Sequence, residues 1–148
     1  MSLNSTLQGV KIIFLDTAPI IYFIENHPQF SDIVEVFIEQ LDQGNIQGII
    51  SPVTIAECLV NPLKNKDQKL QQDFVDFMLR QKSIRLKETD VNISIKAAQI
   101  TANYNLKLPD ALQVATAIIA GCDSFLTNDK KLSRISELQI LVISDFVV

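Results

Sequence analysis

The chain has 148 residues, of which 47% are hydrophobic and 20% charged, and its net charge is −4. That is enough for one globular domain with a sizeable core, and not comfortably enough for two. The negative balance argues against sequence-blind nucleic-acid binding through a basic surface, and no apolar run reaches the roughly 18 residues that a transmembrane helix needs.

The opening, Met1 to Thr6, is short and polar and reads as part of an N-terminal extension over residues 1–9, some of it an expression scar. A single domain is expected over residues 10–146. Val10 to Leu15 is an apolar, β-branched run that ends at Asp16 and reads as a buried strand. Thr17 resembles a helix cap and Pro19 suits a first helical turn. Asn26-His27-Pro28 is a loop, after which Ser31 caps a second helix with Ile33, Val34, Phe37, Ile38 and Leu41 at helical spacing. Gly44 stops it. Gln47 to Ser51 reads as strand two, and a helix starting at Pro52 carries Glu57 and ends at Asn61-Pro62.

Lys66 to Gln81 is an amphipathic helix with Leu70, Phe74, Phe77 and Met78 on one face. Ser83 to Lys87 is a short strand and Val91 to Tyr104 a helix. Pro109 begins a helix that Gly121 ends. Ser124 to Thr127 is strand four, Lys130 to Ser136 a short basic helix, and Gln139 to Ile143 strand five. Strands alternate with helices, and four of the strands are apolar on both faces. The pattern predicts an α/β fold with a mostly parallel sheet between layers of helices.

Ligands in open parallel sheets bind beyond the carboxyl ends of the strands. Asp16 closes strand one, and Asp129 follows strand four. Glu57 lies on the helix leaving strand two, and Asp110 in the first turn of the helix leading into strand four. Singly, Asp110 and Asp129 read at least as well as helix caps. Glu57 sits in an otherwise apolar segment, Ile55-Ala56-Glu57-Cys58-Leu59, and is expected to be buried, a costly place for a lone charge. Carboxylates brought together raise each other's pKa, and divalent cations relieve that conflict. All-oxygen ligands favour magnesium or manganese over zinc. One histidine, His27, read as a solvated loop residue, makes a histidine zinc site or a Ser-His-Asp triad hard to build. Cys58 and Cys122 read as small buried hydrophobes, and the expected setting is the reducing cytoplasm.

Leu15-Asp16-Thr17, Ser51-Pro52-Val53-Thr54-Ile55-Ala56-Glu57, Leu108-Pro109-Asp110-Ala111-Leu112 and Phe125-Leu126-Thr127-Asn128-Asp129 resemble the four acidic motifs of PIN domains, most closely the VapC-type toxin ribonucleases. The resemblance spans about residues 10 to 146. It implies a three-layer α/β/α fold with a central parallel sheet of four to five strands. It also implies magnesium- or manganese-dependent hydrolysis of RNA phosphodiester bonds by the toxin of a type II toxin–antitoxin pair. The metal-ligand role falls on Asp16, Glu57, Asp110 and Asp129, and Thr127 matches a hydroxyl position that orders the site. RNA would be the substrate, an antitoxin protein the partner, and a homodimer or higher oligomer the assembly.

Two positions depart from the family pattern: Ala18, where Asn or Ser is common, and Gln113, where a histidine or aliphatic residue is common. Lys130, Lys131 and Arg134 are candidate phosphate contacts, or simply a solvated face. Ile33, Val34, Phe37, Phe74 and Phe77 are candidates for a dimer face or antitoxin groove as well as for the core. The rival within the family is a catalytically degenerate PIN domain acting as an RNA- or protein-binding module. A receiver-like switch wants paired acids near strand one, and a haloacid-type phosphatase wants Asp where Ala18 stands, so both fit less well.

Overall fold

Five short strands supply the frame of the computed structural model, which describes residues 3–147. They are β1 (Ile12–Leu15), β2 (Gln47–Ile50), β3 (Ile84–Leu86), β4 (Ser124–Thr127) and β5 (Gln139–Val142), ordered β3-β2-β1-β4-β5 across one sheet. Every pairing is parallel. Among the described residues seven α-helices accompany them, α1 (Leu3–Leu7) before β1 and six between strands: α2 (Thr17–Ile24), α3 (Ser31–Asp42), α4 (Pro52–Lys64), α5 (Gln68–Leu79), α6 (Val91–Tyr104) and α7 (Leu108–Ile119). Single 3₁₀ turns follow β4 and β5, over Lys130–Arg134 and Ile143–Phe146. The expected three-layer α/β/α arrangement is the one found.

The strands are apolar on both faces because both faces are covered. Successive side chains point to opposite sides. Ile13, Leu15, Ile50 and Leu126 therefore join one core with Val34, Phe37, Leu41, Phe74, Phe77 and Met78 from α3 and α5. Phe14, Ile49 and Phe125 join the other, with Ile93, Ala97 and Ile100 of α6 and Val114 and Ala115 of α7. Phe14 and Phe125 stack across β1 and β4, ring centroids 4.9 Å apart and 13° between planes. Of the two roles open to Val34, Phe37, Phe74 and Phe77, core or partner surface, the structure gives them the core: all four are buried within this one chain, and Ile33 packs against the same cluster.

Several local expectations shift for identifiable reasons. Asp16, not Thr17, is the cap of α2, its carboxylate accepting from the Thr17 amide. Phe30 rather than Ser31 occupies the cap position of α3. α4 runs on through Pro62 to Lys64. α5 starts only at Gln68, because Lys66 takes a left-handed conformation (φ 54°) and Asp67 then caps the helix. The basic segment after β4 is 3₁₀ rather than α-helical. The N-terminal extension is partly helical, with Leu7 buried in the first core. Gly48 in β2 is needed for space, since a Cβ there would lie 3.3 Å from the Ser83 carbonyl oxygen and from Ile84 Cγ1.

Among the described residues no helix is long and apolar enough to cross a membrane. Both cysteines are free and buried.

Candidate active site

β1 is the middle strand, and it pairs with β2 on one side and β4 on the other. The connections leave it in opposite directions, so its carboxyl end is the point where the strand order reverses and a crevice opens. Asp16 stands at that end. Its backbone N–H donates to the Leu126 carbonyl (3.0 Å), which extends the β1–β4 pairing past the last strand residue. One carboxylate oxygen, Oδ1, accepts from the Thr17 N–H at 2.8 Å, and the other, Oδ2, from the Thr127 hydroxyl at 2.8 Å. Thr127 Oγ1 in turn accepts from the Asp129 N–H at 3.0 Å. One fully buried hydroxyl thus fixes the first of the four acids against the last of them.

Glu57 comes from α4, whose start is held by the Ser51 cap and by Pro52 in the first turn. It is exposed, which corrects the expectation of burial: Ala56 and Val60 beside it are exposed as well, so this face of α4 looks outward. The Thr17 hydroxyl donates to Glu57 Oε1 at 2.7 Å, tying α4 to α2. Asp110 sits in the first turn of α7, after Pro109, and is half-buried. Asp129 caps the 3₁₀ turn, its Oδ1 accepting from the Lys131 N–H at 3.0 Å.

The charges of these four groups act on one another. Burial pushes the Asp16 carboxyl from an ordinary 3.8 up to about 6, with Asp110 and Glu57 adding to the rise and the Thr127 and Thr17 hydrogen bonds opposing it. Asp110 is also raised, first by burial and then by Asp129 and Glu57, while Lys107 and Lys131 pull it the other way. Among the described residues no lysine or arginine forms an ion pair with any of the four acids. A set of mutually repelling oxygen donors with no basic partner fits a divalent cation. The fit lies in donor chemistry and charge. Among the described residues, no three acidic, histidine or cysteine side chains stand close enough to form a ready cage.

A family model for the PIN domain matches residues 13–138. The chain belongs to the PIN domain family. Solved PIN structures share its fold at low identity. VapBC2 from Rickettsia felis, bound to a DNA fragment from its promoter, superposes with a TM-score of 0.72 and 21% identity over 88% of this chain and 98% of that one. DNA-bound VapBC from Salmonella typhimurium gives 0.67 and 20% over 89% and 98%. VapC20 of Mycobacterium tuberculosis, a sarcin-ricin-loop-cleaving toxin, gives 0.66 and 11% over 86% and 98%. No curated protein sequence matches the chain.

Around the PIN acids, several residues carry more than their sequence suggested. Thr17 reads locally as a cap, but its hydroxyl reaches an acid forty positions away. Asn128 is pinned between the Tyr22 hydroxyl, to which it donates at 3.1 Å, and the Ser144 N–H, from which it accepts at 2.9 Å. Lys107 is close enough to Asp110 for its charge to act, and nothing local marked it. Arg134 is committed elsewhere, its guanidinium donating to the Lys131 and Tyr104 carbonyls at 3.1 and 2.9 Å. His27 is half-buried rather than solvated: its Nδ1 accepts from the Gln29 and Phe30 amides, and its ring stacks on Phe30 with centroids 4.9 Å apart.

Because the Thr127 hydrogen bond lowers the Asp16 pKa, Thr127→Val is expected to move that carboxyl above 6, while Thr127→Ser leaves it near 6. Carbon-detected NMR titration of the side-chain carboxyl measures this. Equal values in wild type and the valine variant would show that the hydroxyl does not act on Asp16.

Proposed function

We propose that this PIN domain is a divalent-metal-dependent endoribonuclease, the toxin of a type II toxin–antitoxin pair, with Asp16, Glu57, Asp110 and Asp129 as its metal ligands. The observation that carries the reading is the arrangement at the carboxyl end of β1: Thr127 and the Thr17 amide hold Asp16 within electrostatic reach of Asp110 and Glu57, and among the described residues no lysine or arginine forms an ion pair with any of the four acids. Toxin–antitoxin complexes and a toxin that cuts the sarcin-ricin loop among proteins of the same fold support the biological side of it. The domain spans residues 10–146 in this reading, and its setting is cytoplasmic.

Magnesium or manganese held there would supply Lewis-acid activation at the scissile phosphate. The protein's own groups divide the remaining work. Thr127 and the Thr17 amide keep both Asp16 oxygens aimed, and the Thr17 hydroxyl orients Glu57. Among the described residues no hydrogen bond or ion pair engages the Asp110 carboxylate. With its raised pKa, it is the acid free to accept a proton from the attacking water. Lys107 and Lys131, whose charges reach Asp110, are the cations that would meet RNA phosphates. Arg134 is spent on backbone carbonyls. An antitoxin would mask the site by offering an arginine to the acids, and a homodimer is the expected assembly.

The test is cleavage of structured RNAs by purified protein with manganese, magnesium or EDTA. Wild type is expected to cut only with metal, and Asp110→Asn to lose activity by at least about 10²-fold. Cleavage in EDTA, or full activity of Asp110→Asn, would refute the assignment. Calorimetric titration with manganese separates it from a degenerate binding module: the intact site binds the ion and Glu57→Gln weakens it, whereas a vestigial site takes up none.

A further inference from the structure

Gln113 is a buried polar side chain in an apolar helix, α7. Ala111, Val114, Ala115 and Ala117 around it on α7 are fully buried, and Gln113 itself is only 1% exposed. Its carboxamide does not lie idle. Oε1 accepts a short hydrogen bond from the Ser51 hydroxyl, and Nε2 donates to Thr54 Oγ1 at 2.8 Å. Ser51 and Thr54 are both completely buried and form the capping box of α4: Ser51 Oγ accepts from the Val53 and Thr54 amides, and Thr54 Oγ1 accepts from the Ser51 amide at 3.3 Å. The orientation of the amide follows from this pattern. Ser51 Oγ, already accepting from two N–H groups, has its proton left to give, so the oxygen of Gln113 must face it.

The position of this knot gives it meaning. Thr54 and Glu57 are three residues apart on α4, and Asp110 and Gln113 three apart on α7, so each acid shares a helical face with one member of the knot. α4 and α7 pack on each other. The amide bridges them one turn away from the acids, through two bonds spanning 59 and 62 residues of chain. An aliphatic side chain of the same size would fill the volume and fix no separation between the helices.

We infer that Gln113 is a positioning residue: its buried carboxamide locks the first turn of α4 to α7 and thereby sets the spacing of Glu57 and Asp110 for one divalent cation. This rests on the proposed metal-dependent reading of the four acids. Gln113 touches neither substrate nor ion. It acts through the helix start that carries Glu57. Buried polar networks of this kind specify one arrangement when every member is satisfied, and partners of metal ligands typically set affinity or activity by 10–100-fold.

The experiment compares wild type, Gln113→Met and the double variant Thr54→Val/Gln113→Met, the last removing the Thr54 hydroxyl that the single change leaves without its donor, while the Ser51 hydroxyl loses its acceptor in both. Three quantities are read: melting temperature without metal, manganese affinity by calorimetry on metal-free protein, and kcat and KM for a structured RNA. The expected result is a double variant that stays folded at a lowered melting temperature, binds manganese about 10–100-fold more weakly, and loses a similar factor in kcat at nearly constant KM. Should the single variant fail to fold, the double variant carries the comparison. Manganese affinity and kcat equal to wild type in a folded variant overturn this inference while leaving the nuclease reading intact. A wild-type protein that neither binds manganese nor cleaves overturns both, and Glu57→Gln run alongside tells the two failures apart.

Discussion

Asp16→Asn is expected to give a protein that is more stable than wild type at neutral pH and inactive. Carrying the charge at pH 7 on a carboxyl displaced from 3.8 to about 6 costs the fold on the order of 3 kcal/mol. The sign follows from proton binding. The folded state holds the Asp16 proton more tightly than the unfolded chain, so this group's contribution is most favourable below pH 3.8 and is lost as pH rises to 6. Asparagine carries no charge at any pH and can still accept from the Thr17 amide. Its advantage should therefore be largest above pH 6 and vanish near pH 4. Denaturant unfolding of both proteins across pH 3.5–7.5 measures the curve, and a variant less stable than wild type at pH 7 would contradict it. Cleavage should fall by about 10³-fold or more, as for loss of a group stabilising charge in the transition state. Manganese should raise the melting temperature of wild type and not of the variant, since a ligand stabilises only the state that binds it.

The second large effect is structural. Phe125→Ala removes the ring that stacks on Phe14 between the sheet and the α6–α7 layer, where both rings are fully buried. A cavity of that size in a packed core costs about 3–5 kcal/mol, which for a domain of this length lowers the melting temperature by roughly 10–15 °C. Phe125→Leu should recover more than half of the loss. The substitution lies two residues from Thr127, so manganese affinity should fall along with stability. A melting temperature within a few degrees of wild type would mean that the α6–α7 layer closes over the gap.

Much of the architecture was legible because it is written in short-range pattern. Val91 to Tyr104 and Ser124 to Thr127 begin and end in the structure where periodicity and flanking residues put them. The parallel sheet followed from strands apolar on both faces. The errors arose where tertiary contacts decide. An apolar neighbourhood made Glu57 look buried, although Ala56 and Val60 lie on the outward side of α4. Phe37, Phe74 and Phe77 looked surplus to a core of this size, but helices lie on both sides of the sheet and two cores have to be filled. Of the candidate acids, Asp16 and Asp129 were picked out by their place at strand ends, and Glu57 and Asp110 by their place on the helices that leave or lead into strands. The hydroxyls that hold two of them were harder to read. Thr17 gave no local sign of its bond to Glu57, and Thr127 was suggested only by family likeness. Pairings across 40 and 111 residues leave no trace in a window of ten. Gln113 was visible as an oddity against the family pattern, and its partners were not.

The central place of β1 has a consequence in time. The strand is synthesised early, yet one of its two edges stays open until residues 124–127 have emerged to form β4. Asp16 and Glu57 exist long before Asp110 and Asp129, and at roughly 5–20 residues per second the ribosome needs several seconds to make the stretch between Glu57 and Asp129. The Thr127 hydroxyl that secures Asp16 arrives with that last strand. A chain still being translated, or one truncated before β4, thus holds at most three of the four acids around an unfinished sheet. If these acids cut RNA, a growing chain cannot yet attack the ribosome and message that are producing it.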